Sequence, residues 1–195
     1  SYVPRVYSPG LSLQVRNDAS EAGRMLDGHV VSQYTDTDGQ RLGPFLWLAH
    51  REVGLVVLNS MTVLPNVVVD SDGYVGVPDW LEPNTGLVLV GIPYTAKATT
   101  LPAEGTNKAG TAQTSARNWN DVRLRVFDSA APIVNGVRPP LRVPQTTMNE
   151  SPPLLTGDIK YDLNGWNDGV LEIVQDKPLP TNITALFGKV TGNAL

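Results

Sequence analysis

Apolar and polar side chains alternate along much of this chain with a period of two. Ile159, Tyr161 and Leu163 alternate with Asp158, Lys160 and Asp162, and Val122, Leu124 and Val126 alternate with Arg123, Arg125 and Phe127. Successive side chains of an extended strand point to opposite faces, so each run predicts a strand with one buried and one wet face. The stretch 152–190 holds three β-type runs, Gly157 to Leu163, Val170 to Gln175 and Ile183 to Val190, joined by segments rich in Gly, Asn, Asp and Pro. Glycine supplies positive φ and proline a fixed φ, so these runs are expected to fold back on one another as a meander.

The same pattern continues upstream. Ser1 to Gly10, with two prolines and two tyrosines, has no sustained period and reads as an extended arm; Leu11, Leu13 and Val15 then mark a short strand. Ser20 to Leu26 is compatible with one helical turn capped by Ser20. Strands are predicted over His29 to Tyr34, Phe45 to Ala49, Leu55 to Leu58, Asn66 to Val69 and Tyr74 to Val77. Asp70-Ser71-Asp72-Gly73 predicts a tight hairpin between the last two, and Pro78 to Pro83 a turn anchored by Trp80. Gly86 to Ile92 is continuously apolar, which predicts a central strand covered on both faces. Ala103 to Arg117 has almost nothing to bury and is expected as a long exposed loop or a partner-ordered arm, and 130–153 as an extended crossing segment.

These elements sum to an all-β fold, a sandwich or barrel-like module with a C-terminal antiparallel meander, long loops and very little helix. Residues 1–24 form the arm and short strand, 25–102 a β-rich core module, 103–117 the exposed loop, and 118–195 the remaining strands of that module. The composition agrees, because 18 Gly and 16 Pro in 195 residues, with 17% charged residues, indicate short strands between turns. The absence of cysteine removes disulfides and thiolate metal sites, leaving burial, ladders or neighbouring subunits to hold the fold. A formal net charge of −4 argues against general nucleic-acid binding, which needs concentrated Lys and Arg. No apolar run reaches bilayer length, and the N-terminus lacks the regions of a signal peptide. Ser1 in place of an initiator Met is expected of a processed chain or a segment of a longer protein.

Candidate chemistry is sparse. Asp36 to Gly39 and Asp70 to Gly73 open like calcium loops but lack the later oxygen ligands, so hairpin turns explain them better. His29 and His50 are the only histidines and are not in an HExxH arrangement, so no metal site is assigned. There is no Gly-x-Ser-x-Gly elbow, and carboxylate pairs such as Asp158 with Asp162 or Glu172 with Asp176 are ordinary on solvated strand faces. Gly188-Lys189-Val190-Thr191-Gly192 has the wrong order for a phosphate loop. No catalytic residue and no cofactor is therefore expected. Trp47, Trp80, Trp119 and Trp166 invite a sugar platform, although tryptophan near a turn is more often a core plug or interface anchor.

Several blocks resemble the C-terminal part of phage tail nozzle proteins, also called tail tubular protein B. They are Gly91-Ile92-Pro93-Tyr94-Thr95, Thr100-Leu101-Pro102, Val122 to Phe127, Pro152 to Asp158, and Val174 to Pro180, in the family's order. The resemblance covers roughly 86–190, and Met25 to Val31 is similar to the module's opening strand. Nozzle proteins are several times longer, so the chain is expected to be a fragment or a reduced relative. The resemblance implies a non-enzymatic structural protein of the virion tail. It would sit in a homo-oligomeric ring, usually sixfold, beside neighbouring tail or adaptor proteins, with DNA passing through without specific binding and no membrane partner. A ring subunit needs arms and loops for its neighbours to bury, and the oligomer interface is expected at Tyr2, Tyr7, Lys108, Arg117, Arg123 and Arg125. The alternative is a β-sandwich glycan-binding module of a tail fibre or adhesin that uses its tryptophans.

Overall fold

The computed structural model describes residues 26–34, 40–81, 87–103, 106–107, 110–111, 117–140, 153–163 and 166–192. The described residues form two compact units. The first holds 26–94 with 177–179, and the second holds 95–140, 153–176 and 180–192. The sequence expectation set 25–102 and 118–195 within a single module. The division instead falls after Tyr94, and Ala96–Thr99 belongs to the second unit, where it pairs with Glu172–Gln175. Every named ladder is antiparallel, so the all-β class is observed.

In the first unit, β1 (Asp27–Gln33), β3 (Glu52–Val57), β4 (Thr62–Val68) and β6 (Leu87–Ile92) form one sheet in the order β1-β6-β3-β4. The apolar run of β6 takes a central position, as its continuous hydrophobicity predicts. Val88 and Val90 join one buried cluster with Val53, Leu55 and Val57, while Leu89 joins another with Val56 and Leu26. Because side chains alternate, a strand that is apolar at every position must be covered on both faces. Pro65 falls on β4, at the sheet's edge, where its missing N–H leaves no gap in an inner ladder. A second ladder pairs β2 (Arg41–Leu42) with β5 (Val75–Gly76).

Three local expectations in this unit are corrected. Phe45 to Ala49 is not a strand; Leu46–Leu48 forms a 3-10 turn, with Leu48 N donating to Phe45 O and Ala49 N to Leu46 O. Phe45 and Leu48 are buried whereas Leu46 and Trp47 are exposed, a spacing of three that extended backbone cannot produce. The Asp70 turn forms, closed by Asp72 N and Tyr74 N donating to Asp70 Oδ1, but its flanks do not make a hairpin. Beyond it β5 pairs with β2, because Gly73 O accepts from Phe45 N at 2.7 Å and draws the chain toward the 3-10 turn. A side chain at Gly73 would be strained twice over. Its φ is +86°, and an added Cβ would lie 2.8 Å from the Phe45 nitrogen. Trp80 does not anchor its turn: it is 60% exposed, and the buried neighbour Leu81 fills that role, its N–H donating to Pro78 O. The Asp36 to Gly39 turn, residues 20–25 of the Ser20 to Leu26 turn and the N-terminal arm lie outside the described residues.

In the second unit, β10 (Arg117–Ser129) is the central strand, flanked by β12 (Leu155–Tyr161) and β14 (Ile183–Gly192). A second sheet has the order β11 (Ile133–Val134), β13 (Glu172–Gln175), β7 (Ala96–Thr99). The C-terminal meander is therefore overturned, because β12, β13 and β14 do not pair with one another. The long β10 offers both edges, and its buried Val122, Leu124 and Val126 match Ile159 and Tyr161 in phase. The shorter β13 finds matching four-residue company in β7. Both sheets contribute to one core, in which Val134, Leu171 and Ile173 meet Leu124, Ile159, Tyr161 and Leu186. Tyr161 is buried with its hydroxyl donating to Pro132 O at 2.8 Å, and burial pushes that phenol above its ordinary range. Within the expected loop, β8 (Thr106–Asn107) pairs with β9 (Gly110–Thr111).

Candidate functional site

The outer face of the β12-β10-β14 sheet carries a row of charged side chains, Arg123, Arg125, Asp158 and Lys160. Register places Arg125 opposite Asp158 and Arg123 opposite Lys160 on one side, and Arg123 opposite Phe187 on the other. Arg125 Nε donates to Asp158 Oδ1 at 2.7 Å and its Nη2 to Oδ2 at 3.0 Å, a bidentate fork. The same guanidinium lies over the Phe187 ring, 4.9 Å from its centroid. Lys160 pairs with Asp162 at 2.7 Å, and Arg123 stands 3.7 Å from Asp121. Phe127 is 49% exposed on the same strand.

These pairs are solvated, so they set the face's charge pattern more than its stability. The hydrogen bonds that Arg125 donates hold Asp158 below the ordinary carboxylate value, and the accepting carboxylate raises Arg125 in turn. With the folded value depressed, the pair's contribution is present above the unfolded carboxylate pKa and is lost as pH falls through the folded one. Arg125→Ala is expected to raise the Asp158 midpoint toward its ordinary value in a carbonyl-carbon NMR titration. An unchanged midpoint would mean that the fork does not persist in solution.

The expected interface residues are placed unevenly. Tyr2, Tyr7 and Lys108 lie outside the described residues. Arg123 and Arg125 share the outer face, as their alternation predicts. Arg117 does not join them: it is 8% exposed, and its guanidinium donates to Ala103 O inside the unit. A bulge explains the difference. Asp121 has φ of +50°, and the β10–β14 register shifts between Asn120 and Arg123, so residues before the bulge exchange faces with those after it. The odd-numbered Arg117 thereby turns inward, and Trp119 packs against the core.

A second feature of this unit is a recess of about 320 Å³ lined by Thr99, Leu163, Trp166, Asn167, Val170 and Glu172, with Asn135 completing it. Trp166 is 54% exposed, and its indole Nε1 donates to Asp168 Oδ1 at 2.7 Å. Asn167 and Asn135 build the walls. Asn167 Oδ1 accepts from Trp119 N at 2.8 Å, and Asn135 Oδ1 accepts from Glu172 N at 2.7 Å. Glu172 itself is paired with Lys97 at 2.5 Å. The structural work of Asn167 was not read from the sequence, although the run Asn167-Asp168-Gly169 marks a turn in which a side-chain amide can replace a backbone partner. No protein-family model matches this chain, and no curated protein matches it.

Proposed function

We propose that the chain is a structural, non-enzymatic subunit of a phage tail, assembled with copies of itself as a ring through which DNA leaves the virion. The observation that carries this reading is the Arg125–Asp158 fork. One residue comes from the block Val122 to Phe127 and the other from the block Pro152 to Asp158, so two segments that resemble nozzle proteins meet side chain to side chain. Val174 to Asp176, from a third block, lie in the same unit, where Gln175 pairs with Ala96. The resembling segments thus supply neighbouring framework strands. A ring subunit draws its function from such a framework and from the surface that it presents.

Within this reading the outer face bearing Arg123, Arg125 and Phe187, together with the segment 104–116, meets the neighbouring subunit or the adjacent ring. Arg125 is already held by Asp158, so Arg123 is the better placed of the two to reach across. DNA passes without specific binding, in keeping with a mildly acidic chain that does not hold phosphates along its path. Deletion of residues 104–114 is expected to abolish ring-sized particles in mass photometry while the strand signal in circular dichroism persists. Unchanged ring assembly would remove this segment from the interface.

A further inference from the structure

We infer that the recess beside Trp166 is a binding site for a single neutral saccharide ring. The proposal concerns the second unit alone and stands independently of ring assembly. Small-molecule sites span about 300–1,000 Å³. At about 320 Å³ the recess matches one ring of hexose size better than an oligosaccharide or a folded partner.

The chemistry of the lining selects the ligand class. Trp166 has its N–H engaged by Asp168, so the indole is fixed in orientation and its ring is what remains to offer. Leu163 and Val170 add apolar surface around it, and Thr99 and Glu172 supply a hydroxyl and a carboxylate. A pyranose presents the complementary pattern, a C–H face that stacks on an aromatic ring and a rim of hydroxyls that hydrogen-bond. Charge argues for neutrality, because Lys97 neutralises Glu172 from outside the lining. The walls are preformed: the Asn135 amide bonds Glu172 N and Val170 O, and the Asn167 amide bonds Trp119 and Gly169. Little order has to be imposed when a ligand enters.

The test is a titration of the full, nitrogen-15-labelled chain with glucose, galactose, mannose and N-acetylglucosamine, with glucuronate and glucosamine as charged comparisons. The four tryptophans give separate indole N–H signals, and that of Trp166 is the one missing from Trp166→Phe. The expected result is a saturable shift of the Trp166 signal with at least one neutral sugar. Affinity, read in the variants from the backbone N–H signals of Asn167 and Val170, should fall about tenfold in Trp166→Ala, as loss of one aromatic contact implies, and stay unchanged in Trp80→Ala. Trp166 is exposed, so its variants should keep the wild-type circular dichroism spectrum. The proposal is overturned if no sugar moves the Trp166 signal, if Trp166→Ala binds as tightly as the wild type, or if the charged sugars bind better than the neutral ones.

Discussion

Leu124→Ala is expected to lower the stability of the second unit by about 2–5 kcal/mol, the range for truncating a fully buried leucine. Leu124 is completely buried near the middle of β10, opposite Ile159 on one side and Leu186 on the other. Its removal leaves a cavity bounded by two neighbouring strands and by the second sheet, whose Val134 and Ile173 share the cluster. Such a site has little freedom to collapse. Hydrogen exchange of the β10 amides reads the loss locally. Phe127→Ala, three residues along on the exposed face, is the comparison and should cost no more than about 0.5 kcal/mol. Equal effects at the two positions would contradict the assigned phase of the strand.

Asn167→Ala should destabilise the same unit by about 1–3 kcal/mol, the cost of leaving backbone groups without partners. The β10–β12 ladder starts at Val122; at Trp119 the amide of Asn167 stands in for a strand. Its Oδ1 accepts from Trp119 N and Gly169 N, and its Nδ2 donates to Trp119 O at 3.2 Å. The anchoring extends to the Trp119 indole, which donates to Gly169 O at 2.7 Å and covers Gly188 so closely that a Cβ there would sit 2.7 Å from the ring. Asn167→Asp keeps the acceptor and loses the donor, so an intermediate loss is expected in urea unfolding. If Ala and Asp cost the same, the acceptor contributes nothing and the strand-like role fails.

How far the fold could be read in advance follows from the range of the forces involved. The position of β6 was legible because a fully apolar strand can sit only where both faces are covered, and that requirement is local to seven residues. The alternation on β10 and β12 likewise gave the correct inward and outward faces for Leu124, Ile159 and Tyr161. Strand partners were not legible. Nothing in the runs of β12, β13 and β14 tells them to prefer β10, β7 and β11 over one another, because that choice depends on strands far away in the sequence. The Asp70 turn was identified by its residues, yet the direction of the chain beyond it depended on the backbone of Phe45.

The candidate site divides along the same line. Arg123 and Arg125 were placed correctly because one unbroken alternation carries both. Arg117 was not: it was read as the end of an exposed loop, whereas β10 begins there and the bulge at Asp121, an aspartate at positive φ with no distinctive mark in a polar sequence, turns it inward. Phe187 was overlooked since its role depends on register, which brings it beside Arg123 and beneath the Arg125 guanidinium. The recess joins residues from β7, the segment after β11 and the loop before β13, so no single stretch of sequence announced it.

The proposed function requires copies of this chain to close into a ring around a channel. Negative-stain electron microscopy of the purified protein tests it most directly. Annular particles with an axial hole are expected, at a mass of six times 21.0 kDa for the expected symmetry. A uniform population of 21.0 kDa monomers at every protein concentration, with no annular particle, would contradict it.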